Sequence, residues 1–386
     1  MAATFPLVVR QGSGVHRAIT IGGLAAVALA VYLAPFVLPG YRLNQISGAL
    51  VLAIAIVGLN LLSGFGGQIS LGHAAFFGLG AYTTGILTVD HGVPVVVAML
   101  LSVVVCFCAG VIVGLPALRL QGTYLALVTL AVGILFPSLV RRFEDLTGGS
   151  RGLFGISFRP PENLAYFSGA LGRTIWIFWA VSIALALSCL VVRNIMRSRL
   201  GRGIVALRDK EAAGIVMGVN RAFVRTVLFG ISAGIAGVAG GFFAVMNGII
   251  TPESFTLLLT INLLVGMLIG GSASFSGPIL GGFVIYFVPV WSSDITGGPI
   301  SGVLFGAILI ATVFLFPQGI AGGLGALTAK VLTIVPSPPA LHAPQVEDLP
   351  LPPSEFALSE AESADHVDEG DASAGPEGTM AASTPR

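Results

Sequence analysis

Gly58-Leu-Asn-Leu-Leu-Ser-Gly-Phe-Gly-Gly-Gln-Ile-Ser-Leu-Gly-His-Ala-Ala-Phe-Phe-Gly-Leu-Gly-Ala-Tyr82 is apolar enough for a membrane and too glycine-rich for a plain helix. It sets Asn60, Gln68, Ser70 and His73 among closely spaced glycines. A second stretch has the same character: Gly266-Met-Leu-Ile-Gly-Gly-Ser-Ala-Ser-Phe-Ser-Gly-Pro-Ile-Leu-Gly-Gly282. Broken backbone at membrane depth is tolerated only inside protein or along a wet cavity. Paired glycine- or proline-interrupted segments in two halves of a chain point to a transport pathway. Close helix packing by small residues is the plainer reading. The two stretches also match each other. Gly66, Gly67, Ser70 and Gly78 correspond to Gly270, Gly271, Ser274 and Gly282 at a constant offset of 204. Four small residues give only a hint of two related halves.

Working outward, the chain of 386 residues is 55% hydrophobic and 10% charged, with mean hydropathy +0.94. Soluble domains carry about 25% charged residues, so a soluble globular protein is excluded. A net charge of +1 leaves no electrostatic footprint for nucleic acid. Stretches free of charge show where spans of roughly 20 residues can lie. They are 18–41, 43–89, 91–118, 120–140, 174–192, 226–252, 254–293 and 295–329. The segments 43–89 and 254–293 have room for two spans each. The expected fold is therefore all-α and polytopic, with about ten transmembrane helices, some broken at the glycine-rich segments. The run near 19–39 reads as a retained first helix, with a cleaved signal peptide as the rival.

Charge orders the rest. Segment 193–225 holds Arg193, Arg197, Arg199, Arg202, Arg208, Lys210, Arg221 and Arg225 against Asp209 and Glu211. Such a loop belongs in the cytoplasm. Ten spans then put both termini inside and Asp90, Glu144, Asp145, Glu162, Glu253 and Asp294 outside. Loop 143–173 fits least well, since it is outside yet carries Arg151, Arg159 and Arg173. Within the basic loop, Ile204, Leu207, Ala212, Ile215, Val216 and Val219 recur near helical spacing. An amphipathic cytoplasmic helix is expected there, docking on a partner and ended by Gly218.

The domain reading has three parts: a cytoplasmic stretch 1–18, a transmembrane body 19–335 and a disordered acidic tail 336–386. Residues 331–386 hold ten acids and one base, whereas residues 1–330 carry 18 Lys and Arg against 8 Asp and Glu. A Pro-, Ser-, Ala- and acid-rich tail cannot bury enough apolar surface to offset its ordering entropy.

Several chemistries have no carrier. The two lysines, Lys210 and Lys330, do not form Gly-Lys-Ser/Thr, so no Walker A site is present. There is no zinc-type spacing, and Cys106, Cys108 and Cys189 sit in apolar runs as small hydrophobes. No metal site, no bound cofactor and no catalytic residue is expected. Few acids fall at membrane depth, which argues against an ion-driven carrier.

The quoted segment 58–82 resembles the permease subunits of branched-chain amino-acid ABC importers. So do Leu118-Arg-Leu-Gln-Gly-Thr-Tyr-Leu-Ala-Leu-Val-Thr-Leu-Ala131, Leu146-Thr-Gly-Gly-Ser-Arg-Gly-Leu153, Thr251-Pro-Glu-Ser-Phe255 and Gly270–Gly282. The similarity runs over about 40–325 and is to the M-type permease of the H/M pair. It implies a multi-pass permease of the bacterial inner membrane and not an enzyme. The implied partners are a homologous second permease, two cytoplasmic ATPases that use ATP and Mg, and an extracytoplasmic solute-binding protein. Loop 198–220 resembles the segment that docks on the ATPase, with Ile204, Leu207, Arg208, Asp209, Glu211, Ala212, Ala213 and Gly218 as its coupling residues. The usual pattern has three residues between Glu-Ala-Ala and Gly; here four separate Ala213 from Gly218. Asn60, Gly66, Gly67, Gln68, Ser70, Gly72, His73, Gly270, Gly271 and Ser274 are expected to line or brace the pathway, His73 equally well as a structural histidine. The substrates implied are leucine, isoleucine and valine. Urea or short amides are the alternative, since their importers share the family. A passive channel would need no docking helix, and a scaffold or receptor would leave the broken segments without a purpose.

Overall fold

The computed structural model describes residues 7–10, 14–117, 123–158, 171–296, 300–315, 319–323 and 332–335. Half of the expected stretch 1–18 and all of the tail 336–386 lie outside the described residues. The described residues are almost wholly helical. Its helices are α1 (Gly14–Val37), α2 (Gly40–Leu59), α3 (His73–Val89), α4 (Val95–Ala117), α5 (Thr123–Arg142), the single turn α6 (Glu144–Thr147) and α7 (Gly172–Arg197). Two short helices follow, α8 (Arg199–Asp209) and α9 (Glu211–Val216), then α10 (Arg221–Asn247), α11 (Leu257–Gly270), α12 (Gly277–Thr296) and α13 (Ile300–Leu315). Among the described residues, strand is confined to two small ribbons. β1 (Leu7–Arg10) pairs in parallel with β4 (Leu332–Val335), and β2 (Leu153–Phe154) pairs antiparallel with β3 (Ile249–Ile250).

Six stretches have the length and hydropathy of a membrane span: Gly40–Phe65, Val95–Pro116, Tyr124–Arg142, Gly172–Arg197, Arg221–Asn247 and Gly277–Ile295. The other expected spans fall on α1, whose apolar part is Ile21–Val37, and on α3, α11 and α13, which have 17, 14 and 16 residues. The breaks explain two of these. α3 has 17 residues and α11 has 14, or about 25 and 21 Å of helix. A bilayer core is about 30 Å thick, so the unwound residues beside these helices must make up the depth.

Burial separates a centre from a periphery. The apolar window of Gly40–Phe65 is 83% buried and that of Arg221–Asn247 is 78% buried, against 28–33% for the other four spans. α10 packs on α2, α3 and α4. Small residues permit this: a Cβ at Gly240 would overlap the Phe77 carbonyl, and one at Gly80 would overlap the backbone of Gly237. Around them Phe77, Phe255, Ile54, Leu59 and Phe229 are fully buried. The outer faces of α4, α5 and α7 expose Leu100, Val104, Leu127, Ile134, Ile183 and Leu187. An apolar face turned outward is what lipid, or another apolar helix, would cover.

Candidate functional site

The helix of α2 does not stop cleanly. Residues Asn60–Phe65 widen into a π-helical turn, with the Gly66 N–H donating to Leu61 O at 3.1 Å. The chain then unwinds through Gly66–Gly72 before α3 starts at His73. Gly67 has φ +65°, a left-handed conformation that glycine adopts at little cost. A Cβ at Gly72 would overlap the Thr129 carbonyl, so the unwound chain lies directly on α5. Its freed backbone groups find partners inside the protein. Ser63 Oγ donates to Gln68 O at 2.8 Å. Thr129 Oγ1, on α5, accepts from the Leu71 N–H at 3.0 Å. Thr260 Oγ1, on α11, accepts from the Ala74 N–H at 3.0 Å. This is the condition under which irregular backbone survives at membrane depth.

The second break, between α11 and α12, is tighter. Ser274 Oγ donates to Gly271 O at 3.0 Å and accepts from the Gly277 N–H at 2.8 Å, closing a short turn on itself. Ala273 has φ 56°, the single positive value for a non-glycine among the described residues. The two breaks meet through one side chain. Asn60 Nδ2 donates to Ser274 O at 2.8 Å, and Asn60 Oδ1 accepts from the Ala273 N–H at 2.9 Å. The rings of Phe65 and Phe275 pack at 5.3 Å between centroids.

The basic loop folds as two short helices with a bend at Lys210, not as one continuous helix. Ser198 caps α8, and Gly218 takes φ +84° just after α9. The expected apolar face divides in two. Ile204 is 1% exposed and Leu207 is 7% exposed. With Gly66, Gln68, Val224 and Leu228 they surround a small cleft between α8, α10 and the first break. They face this chain and not a partner, because the bundle supplies the apolar surface that covers them. Val216 and Met217, each 85% exposed, and Ile215, 47% exposed, are the large apolar residues left open, and Ala212 and Ala213 are exposed beside them in sequence. Glu211 is turned inward as well, pairing with Arg221 at 2.8 Å and Arg225 at 2.9 Å. Arg208 pairs with Asp209 at 2.9 Å, and its Nη1 reaches Gly64 O at 3.4 Å. Its aliphatic stem lies over Gly67, where a Cβ would stand 2.8 Å from Cγ. Thus α8 sits directly on the first break.

Comparison with known proteins fits this arrangement. The family model described as "Branched-chain amino acid transport system / permease component" matches residues 41–313. The chain belongs to this family. The permease is 29% identical to the high-affinity branched-chain amino acid transport system permease protein LivM of Salmonella typhimurium, over 80% of this chain and 76% of that one. It is equally similar to LivM of Escherichia coli and 24% identical to LivH of Escherichia coli, the latter over 73% of this chain and 96% of that one. No solved structure matches it.

Within the permease, most residues expected along a pathway are buried. Asn60, Gln68, Ser70 and His73 are buried, as are Gly72, Gly270 and Gly271. His73 Nε2 bonds Ala55 O at 3.2 Å, so this histidine joins α3 to α2. Gly66 and Ser274 are partly exposed and Gly67 is exposed. Cys106 is buried and Cys108 faces outward, so only the first packs as a core hydrophobe. Of the arginines that strained loop 143–173, Arg173 has a local partner and Arg159 lies outside the described residues; Arg141, which precedes the loop, is paired as well. Arg173 Nη2 donates to Val245 O, near the C-terminal end of α10, at 2.9 Å, and Arg141 pairs with Glu253 at 3.2 Å. These contacts lie at the end of α10 opposite Arg221 and Arg225. A helix of 27 residues spans about 40 Å, so the loops that the charge rule separates do occupy opposite ends of the bundle. Sequence reasoning missed Thr129 and Thr260, whose hydroxyls look like ordinary helix residues until the breaks are laid against them.

Proposed function

We propose that this chain forms the pathway of an ATP-driven importer of branched-chain amino acids, paired with a homologous permease. The observation that carries the energetic part of this reading is the contact between α8 and the first break. Arg208 and the buried Ile204 and Leu207 tie a solvent-side helix to the place where a membrane helix is unwound. A force applied to α8–α9 therefore acts on the broken backbone without an intermediary. Without a Walker A site the chain needs an external ATPase. The open apolar residues Ile215, Val216 and Met217 are the surface such a subunit would grip, with Arg208 and Asp209 beside them. Truncating buried interface side chains typically costs about 1–3 kcal/mol each.

Relatives named as LivM and LivH support a paired permease and a substrate with a branched apolar side chain. Two cytoplasmic ATPases and an extracytoplasmic solute-binding protein complete the proposed importer, set in a bacterial inner membrane with both termini inside. Urea or short amides are tested alongside. Uptake of labelled leucine by the reconstituted complex should require ATP and be blocked by isoleucine and valine. Competition by urea or acetamide in their place would overturn the substrate. Met217→Asp should abolish co-purification of the ATPases while the permease inserts normally; retention of the ATPases would place the docking surface elsewhere. Leu207→Asp is no test of docking, because it buries a charge within this chain and should destabilise the permease itself.

A further inference from the structure

We propose that Asn60 is a positioning residue for transport: its carboxamide links the two broken segments so that motion imposed on the first is passed to the second. This rests on the transport reading above. Three observations carry it. First, Asn60 is 2% exposed and uses both ends of its amide, donating to Ser274 O and accepting from the Ala273 N–H. An aliphatic side chain of the same size would leave the half-buried Ala273 N–H and Ser274 carbonyl without this partner, at a cost. Second, the turn it grips includes the left-handed Ala273, a conformation that disfavours any residue with a Cβ. Ser274 closes the turn locally, but the Ala273 N–H is held by Asn60 alone among the described residues. Third, Asn60 opens the same π-helical turn whose Gly64 carbonyl meets Arg208 of α8. π-Turns inside α-helices recur at functional sites.

These contacts form one line. α8 holds Gly64, Gly64 lies one turn from Asn60, and Asn60 holds residues 273 and 274. The Phe65–Phe275 ring contact runs beside it but is apolar and can slide, whereas the paired amide bonds fix distance and direction. A shift of α8 therefore moves both breaks together and not the first alone. Coupling of this kind requires an element that two sites share, and the Asn60 amide is that element.

The test compares leucine transported per ATP hydrolysed in the complete transporter reconstituted in liposomes. Wild type must first show ATP-dependent leucine uptake; its absence overturns the transport reading, and this inference with it, before any variant is made. Asn60→Asp keeps an acceptor for the Ala273 N–H and replaces the donor with an oxygen facing Ser274 O. It should assemble with its partners and hydrolyse ATP, yet move less leucine per ATP by a factor of at least about five. Asn60→Ala should do the same or worse. Ala273→Gly leaves Asn60 in place and relaxes only the turn, so it should assemble fully and show a smaller drop in the same ratio. A merely structural role would lower the amount of assembled complex and leave the ratio unchanged. The inference is overturned if the Asn60 variants keep the wild-type ratio. It is equally overturned if they fail to assemble while Ala273→Gly keeps that ratio.

Discussion

The two breaks solve one problem in different ways. The first, 66–72, is long and held from outside: Thr129 on α5 and α8 each supply a contact, and Thr260 on α11 holds the Ala74 N–H just beyond it. The second, 271–276, is short and held mainly by itself, through Ser274, with Asn60 as its external tie. A segment tied to three separate helices along and just beyond its unwound part reports on all three. One closed by its own serine is closer to a rigid corner. The first break is therefore the part of the molecule where a change in helix arrangement is felt. The glycine pattern made both breaks look alike, and the difference lies in their surroundings.

That contrast should be sharpest for added bulk. Gly72→Leu in the first break would drive Cβ into the Thr129 backbone, which has no flexible end to yield. Overpacking of this sort costs about 1–3 kcal/mol where neighbours can shift, and more where they cannot. No assembled permease should be recovered from membranes. Ser272→Leu, at an exposed position of the second break, should assemble and transport normally. Equal tolerance of the two would break the comparison.

Hydrogen-bond deletions come next in size. Thr129→Val and Thr260→Val are near-isosteric but leave the Leu71 or Ala74 N–H unpaired, each costing about 1–3 kcal/mol. Ser274→Ala removes a side chain that closes a local turn, typically about 1 kcal/mol. Thermal unfolding of the purified permease in detergent should rank both threonine variants below Ser274→Ala. The reverse ranking would show that the second turn, and not the first break, is the weaker point.

Much of this was legible in the chain itself. Charge-free runs located the long helices, and closely spaced Gly, Ser and Asn located the breaks, because few other compositions let backbone unwind in apolar surroundings. Amphipathic spacing found α8 and α9. It could not say which chain covers the apolar face, since Ile204 and Leu207 look the same whether their cover is their own bundle or a partner. The Asn60–Ala273 bond joins residues 213 apart, and no local pattern announces it. Arg173 of loop 143–173 broke a counting rule that sees charge but not the carbonyl that satisfies it.

The smallest effect is expected at the opposite end of the bundle, where it serves as a control on the breaks. Arg141 and Glu253 pair at 3.2 Å with side chains 47% and 58% exposed. Glu253's own backbone N–H, and then Arg141, hold its carboxyl below the usual carboxylate range. A carboxyl with a depressed native pKa adds stability that is present above its unfolded value and lost as pH falls through the native one. Between pH 7 and pH 5 nothing should change, and the contribution should fade only below about pH 4. At this exposure the pair is worth at most about 1 kcal/mol, less in high salt. Glu253→Gln should therefore lower the unfolding temperature slightly at pH 7, erase the difference from wild type at acid pH, and leave leucine transported per ATP unchanged. Should Glu253→Gln depress that ratio as strongly as Asn60→Asp, sensitivity to mutation would be a property of the whole bundle and not of its broken end.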